Sequence, residues 1–325
     1  RHVGFDHIAS TFPALTAPPP PVDPRITQAW RLRDLMTAAG FSEAVTFGFI
    51  EQRAAALVAG EVDIAAIANP LSETFAVLRP SLVPGLAAAV AHNRRRQQRD
   101  VRLFEVGNRF SRKAGERRAL AFAWTGAATP EHWSGGARDV DLFDLEGLAL
   151  RVAALSGITA TIEPAREPWL VPGQTAALMA GTVRIGVFGR LTPAVVDACG
   201  LPATDAVYAG EFDADTLARI GTTAQARVTA LPRFPSSTRD ISILVADDLS
   251  AGRVRETIRT AAPASLVRVS EFDRYTGKGV PAGQVSLSFH LTFQSPDRTL
   301  TDAEVDDAMR AVLAALQREH AAVQR

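Results

Sequence analysis

The alternation of apolar and polar positions is cleanest near the C-terminus. Val285, Leu287, Phe289, Leu291 and Phe293 alternate with Ser286, Ser288, His290, Thr292 and Gln294, the period-two pattern of a strand with one buried face. Ile241, Ile243 and Val245 mark an earlier strand, and Ser250 stands where it would cap a helix carrying Val254 and Ile258. The period then lengthens. Thr301-x-x-Glu304 is a capping box, and Val305, Met309, Leu313 and Leu316 line one side of the helix that follows. The order is β-α-β-β-α, and a short strand near His320 to Gln324 would complete a β-α-β-β-α-β plan.

Upstream the pattern is a less regular mixture of helix and strand. Ile26, Trp30, Leu32, Leu35 and Met36 form a helical stripe ending at Gly40, a C-terminal glycine cap. Glu43 to Ile50 reads as a strand, Leu82 to Asn93 as a helix and Val101 to Phe110 as a strand. Leu120 to Gly126, Ala176 to Leu191 and Tyr208 to Leu217 read as further strands, with a helix around Leu145 to Leu155. Residues 1–24 end in a proline run that favours extended backbone, a linker or the tail of a preceding domain. A small, polar stretch from Gly221 to Ala230 places a boundary between domains of residues 25–226 and 227–325.

With 325 residues, 47% of them hydrophobic, the chain is long enough to bury a sizeable core. Its formal net charge is zero, so charge alone names no partner. No apolar run approaches the length of a membrane span and no signal-peptide pattern opens the chain, which makes a cytoplasmic location the expectation. Arg1 in place of methionine suggests a fragment. The single Cys199 cannot form an internal disulfide, and the six histidines show no metal-ligand spacing, so no metal site is expected.

Motifs for phosphate loops, nucleophile elbows and dinucleotide binding are absent. Asp247 with Asp248, and Asp306 with Asp307, read as solvated surface. Asn93 to Arg118 holds ten basic residues against three acidic ones; it fits a protein or RNA interface and, equally, an exposed helix end where cations meet the carbonyl dipole. With 33 arginines and only Lys113 and Lys278 as lysines, arginine abundance is compositional.

The runs Phe234 to Val245, Glu271 to Gly277 and Ser286 to Asp302 are similar to the ferredoxin-fold anticodon-binding domain that ends the bacterial phenylalanyl-tRNA synthetase β subunit. The resemblance extends upstream. Asn69-Pro70-Leu71-Ser72, Leu78 to Leu86, Leu103-Phe104-Glu105-Val106-Gly107, Leu142 to Gly147 and Val187 to Leu191 look like the class II synthetase-like core of the same family, and Gly4 to Pro13 like the end of the domain before it. The resemblance implies an α+β chain: an antiparallel-sheet core followed by a ferredoxin-like domain. It further implies an α subunit as partner in an α2β2 assembly, tRNA as ligand, and ATP with Mg2+ as cofactors of the assembled enzyme rather than of this stretch. The editing and N-terminal tRNA-binding domains of a full β subunit would precede Arg1.

Active class II enzymes meet the ATP phosphates with arginines, one of them in a strand reading Arg-x-Glu. Here the strand reads Arg102-Leu103-Phe104-Glu105, one residue out of register, and such a shift turns the side chain to the opposite face. Gly186-Val187-Phe188-Gly189-Arg190 lacks the spacing of the glycine-rich arginine junction. The core is therefore expected to be non-catalytic, with no catalytic residues on this chain. In the C-terminal domain, Asp273 and Tyr275 match the family positions that meet the first anticodon base, Ser286 one that hydrogen-bonds nearby, and Ser242 another anticodon-facing position. Their chemistry agrees. A tyrosine ring stacks on an unstacked base and a carboxylate accepts from a guanine edge. Two other readings stay open: a free-standing RNA-binding or scaffold protein built from the same domains, and a self-sufficient single-chain synthetase.

Overall fold

The structure, a computed structural model, describes residues 4–12, 22–59, 63–129, 131–221 and 231–325. The expected boundary at 226/227 and most of the proline run lie outside the described residues. The chain divides into two compact units, Arg1–Gln225 and Ala226–Arg325.

The first unit contains α1 (Pro24–Ala38), β1 (Ser42–Glu43), β2 (Phe49–Ile50), α2 (Gln52–Ala59), β3 (Val77–Leu78), α3 (Val83–Arg95), β4 (Val101–Ser111) and β5 (Gly115–Thr125). These are followed by α4 (Leu142–Leu155), β6 (Thr161–Pro164), β7 (Leu170–Ala180), β8 (Val183–Leu191), α5 (Pro193–Ala198), β9 (Val207–Asp213) and α6 (Ala214–Ile220). Seven strands form one sheet in the order β1-β4-β5-β9-β8-β7-β6, antiparallel apart from the parallel pair β1 and β4. Strand β5 shows why helices cover both faces. Leu120, Phe122 and Trp124 enter the core under α1, α4 and α6, while Ala119, Ala121 and Ala123 enter the core under α3. An alanine face lets a helix approach closely; the aromatic face fills the wider gap opposite.

Two of the expected strands differ. The run Glu43 to Ile50 is two short strands, because its middle is held by side chains instead of a ladder. Thr46 Oγ1 donates to Glu105 Oε2 (2.7 Å) and accepts from Arg79 Nη1 (2.9 Å), and the Gly48 carbonyl accepts from the Arg79 backbone N–H (2.9 Å). The run Tyr208 to Leu217 is a strand only as far as Asp213, whose carboxylate accepts from the Thr216 N–H (2.6 Å) and starts α6.

Arg79 and Glu105 form a buried ion pair, Nη1 to Oε1 2.8 Å, and Arg79 Nε also donates to the Asn108 carbonyl (2.8 Å). Gly107 makes room for it: a Cβ there would stand 2.6 Å from Arg79 Nη2. Beside it, the buried Glu211 accepts from Ser81 Oγ (3.0 Å) and from the Leu82 N–H (2.7 Å), tying the start of α3 to β9.

The second unit contains β10 (Ser237–Ala246), α7 (Ala251–Ala261), β11 (Leu266–Tyr275), β12 (Gln284–Phe293), α8 (Asp302–His320) and β13 (Val323–Gln324). Its antiparallel sheet runs β11-β12-β10-β13, the ferredoxin-like arrangement. Ser250 caps α7, and Thr301 with Glu304 closes the capping box of α8. The inward residues of β10 and β12 pack with Val254, Ile258, Val305, Val312 and Leu316. Both helices lie on this face; among the described residues of this unit no helix covers the other, referred to below as the open face.

Arg79→Met should destabilise the first unit by about 3–5 kcal/mol, since Glu105 is left buried without its cation. Adding Glu105→Leu should recover most of the loss. Urea unfolding followed by tryptophan fluorescence is the measurement, because all four tryptophans (Trp30, Trp124, Trp133, Trp169) belong to the first unit.

Candidate functional site

Asp273, Tyr275, Ser286 and Ser242 fall together on the open face of the second unit's sheet. Tyr275 pairs across the ladder with Ser286, and Asp273 with Ser288, which in turn pairs with Ser242. A β-bulge arranges this. Glu271 opposes Phe289 and Asp273 opposes the next residue, Ser288, so Phe272 is the extra residue between them. The insertion resets the alternation of β11: Val269 faces the helices, yet Asp273 and Tyr275 line up with the serines of the open face.

The four residues are unequally accessible. Asp273 is exposed and Tyr275 is 39% exposed, Ser242 is half-buried, and Ser286 is only 3% exposed. Ser286 belongs to the polar side of its strand, but it lies in the middle of the sheet between Tyr275 and Leu244 and backs the surface rather than forming it. Ser242 Oγ and Ser288 Oγ share a hydrogen bond of 2.8 Å. The Tyr275 ring is set over Gly277, at φ +152°, where a Cβ would come within 2.8 Å of the phenol oxygen. Arg325 approaches the same ring, its guanidinium carbon 5.6 Å from the centroid, and its backbone N–H donates to the Ser242 carbonyl (2.9 Å). Such a face offers a ring, an exposed carboxylate and a nearby cation to an unpaired base.

Sequence reasoning missed Phe272, His290 and Asp240 on this face. Phe272 stacks on His290 with ring centroids 4.0 Å apart at 15°, and His290 Nδ1 lies 2.6 Å from Asp240 Oδ1. Alternation places His290 and Asp240 on the polar side, and that signal could have found them; the bulge at Phe272 leaves no such mark.

Four arginines of the first unit are committed internally. Arg102 points away from Glu105, stacks over Trp124 at 4.4 Å, and donates to the carbonyls of Ala127 (3.1 Å) and Ala128 (2.6 Å). Burial holds its guanidinium below the ordinary arginine value. Arg109 binds Glu211 Oε2 (3.2 Å) and Asp213 Oδ2 (2.7 Å), while Arg79 is tied to Glu105. Arg94, from the basic stretch, forms a two-pronged pair with Asp205 at 2.5 and 2.9 Å. Among the described residues no group of His, Cys, Asp or Glu is placed to hold a metal ion, and no helix is long and apolar enough to cross a membrane.

The fold thus pairs an antiparallel-sheet α+β core with a ferredoxin-like sheet whose helix-free face is polar and aromatic. Residues 8–214 match the family described as phenylalanyl tRNA synthetase beta chain CLM domain, and residues 232–325 match the ferredoxin-fold anticodon binding domain. The chain belongs to the phenylalanyl-tRNA synthetase β chain family. It is 36% identical over 294 residues to the phenylalanine--tRNA ligase beta subunit of Aromatoleum aromaticum, covering 88% of this chain and 36% of that protein. It is 34% identical to the beta subunit of Thiobacillus denitrificans, covering 100% of this chain and 41% of that one. The chain thus spans about two fifths of the length of these curated relatives. Among solved structures, pyrrolysyl-tRNA synthetase from Desulfitobacterium hafniense is similar over 60% of this chain and 68% of its own, with a TM-score of 0.47 and 20% identity.

Asp213 supplies a pH test of the committed cations. Burial opposes its ionisation, but the Thr216 N–H and the Arg109 guanidinium outweigh that and hold its carboxyl below the ordinary value. An unfolded aspartate titrates near pH ~3.9, so this carboxylate contributes stability above that pH, and the contribution fades as the pH falls through the lower folded value. Asp213→Asn keeps a good helix cap and removes the charge. It should therefore destabilise the first unit at pH 7 and cost less at pH 3, read from tryptophan-detected unfolding at the two pH values.

Proposed function

We propose that this chain is the C-terminal part of a phenylalanyl-tRNA synthetase β subunit, acting in the cytoplasm in an α2β2 assembly that attaches phenylalanine to its tRNA with ATP and Mg2+. In that assembly the first unit docks the α subunit, which holds the ATP and phenylalanine sites, and the second unit meets the anticodon. The observation that carries the reading is the common placement of Asp273, Tyr275, Ser286 and Ser242 on the sheet face opposite the unit's two helices.

The roles follow from exposure and chemistry. Tyr275 supplies a flat surface on which the first anticodon base stacks, and Asp273 accepts from donors on that base's edge. Ser242 and Ser286 hold the polar floor beneath them, Ser242 through its bond to Ser288. The engagement of Arg102 with Trp124 and two carbonyls supports the assignment of ATP to the partner. Docking of α is supported by Val45 and Phe47 at 89% and 71% exposure, with Phe47 edge-on to Phe75 at 5.5 Å; adjacent exposed apolar side chains mark an interaction site.

On its own the chain should give no phenylalanine-dependent exchange of pyrophosphate into ATP. Robust exchange by a preparation free of α would instead make it a self-sufficient synthetase. In the assembled enzyme, Tyr275→Ala should weaken tRNA binding by about 1–3 kcal/mol, the loss of one base-aromatic stack, and leave pyrophosphate exchange unchanged. Aminoacylation kinetics beside exchange kinetics separate the cases: equal loss in both assays would make Tyr275 a structural residue, and no loss in either would move anticodon reading elsewhere.

A further inference from the structure

Tyr275 is not the sole ring on the open sheet face. Phe272, 49% exposed, lies flat against His290, and His290 is held edge-on by Asp240, its direct partner across the ladder. An ionised carboxylate only accepts hydrogen bonds, so the contact puts the proton on Nδ1 and fixes the plane of the imidazole. The bulge at Phe272 and the carboxylate at Asp240 thus brace a pair of parallel rings from both sides. A flat, preorganised and half-exposed aromatic surface matches the outline of a nucleobase and loses little freedom on receiving one.

Its position fits a second base. His290 and Ser286, the partner of Tyr275, are four residues apart on β12, or about 13 Å at ~3.3 Å per residue. Stacked neighbouring bases rise only ~3.4 Å, so bases received at Tyr275 and at Phe272 must be splayed apart. Four-stranded sheets of this topology do bind single-stranded RNA by stacking two or three splayed bases on aromatic side chains.

We propose that Phe272, braced by His290 and Asp240, is a second base-stacking platform that receives another unstacked anticodon-loop base of the tRNA whose first anticodon base meets Tyr275. The inference rests on the reading of this face as an anticodon site. Stacking accepts any base, so Phe272 contributes affinity, and selection falls to polar groups such as Asp273.

The test measures tRNA binding by the enzyme assembled from the full-length β chain and its α partner. Phe272→Leu, Phe272→Tyr and Tyr275→Leu are compared on intact tRNA and on tRNAs made abasic at single anticodon-loop positions. Phe272→Leu should raise Kd about 5- to 150-fold, the worth of one base-aromatic stack. Phe272→Tyr should bind like the parent. The Phe272→Leu effect should vanish on one abasic tRNA, at a different position from the one that silences Tyr275→Leu. Loss with Tyr275→Leu but none with Phe272→Leu would overturn the second platform and leave the anticodon reading intact; no loss with either would sink both. A Phe272→Leu defect that persists on every abasic tRNA, or that is silenced by the same position as Tyr275→Leu, would also overturn the platform.

Discussion

The buried ion pair of Arg79 and Glu105 is the contact on which the first unit turns. Its guanidinium reaches Thr46, Glu105 and the Asn108 carbonyl, joining the segment before β2, the segment after β3 and the strand β4. Glu211 extends the network through Ser81, the Leu82 N–H and Arg109 to the start of α3 and to β9. Burying such charges is costly unless each is paired and hydrogen-bonded, and here the partners come from segments distant in sequence. The network thereby specifies one arrangement of those segments. It also explains why the leucine-arginine-proline-serine run at 78–81 and the leucine-phenylalanine-glutamate-valine-glycine run at 103–107 belong together: one brings the arginine, the other its carboxylate and the glycine that leaves space for it.

The same commitment of charge recurs elsewhere in the core. In this chain Arg79, Arg94 and Arg109 answer to carboxylates of the fold, and Arg102 answers to Trp124 and two carbonyls on the other side of the sheet. The core keeps a sheet with helices on both faces and uses its polar residues to hold it.

The second unit works in the opposite sense. Its two helices take the apolar side of a four-stranded sheet, and the rings on the polar side are positioned by local backbone irregularities. The bulge at Phe272 and the glycine at 277 set the two aromatic surfaces, while Asp240 and Ser288 fix the neighbours on the central strands. A regular β11 would have sent Asp273 and Tyr275 toward the helices.

Periodicity by itself determined most of the second unit. The alternation along β12, the cap at Ser250 and the capping box at Thr301 are local signals, and local signals survive in sequence because each depends on residues within a turn of one another. In the first unit α1, α3, α4, β4 and β5 were readable for the same reason. Two things only the tertiary structure decided. Glu43 to Ile50 is strand-like in composition, but Arg79 and Glu105, distant along the chain, hold Thr46 where a ladder would otherwise continue. Which residues of β11 face the open side depends on one inserted residue. Since side chains on a strand alternate with period two, a single bulge reverses every assignment beyond it, and the bulge is visible only when β12 is laid beside it.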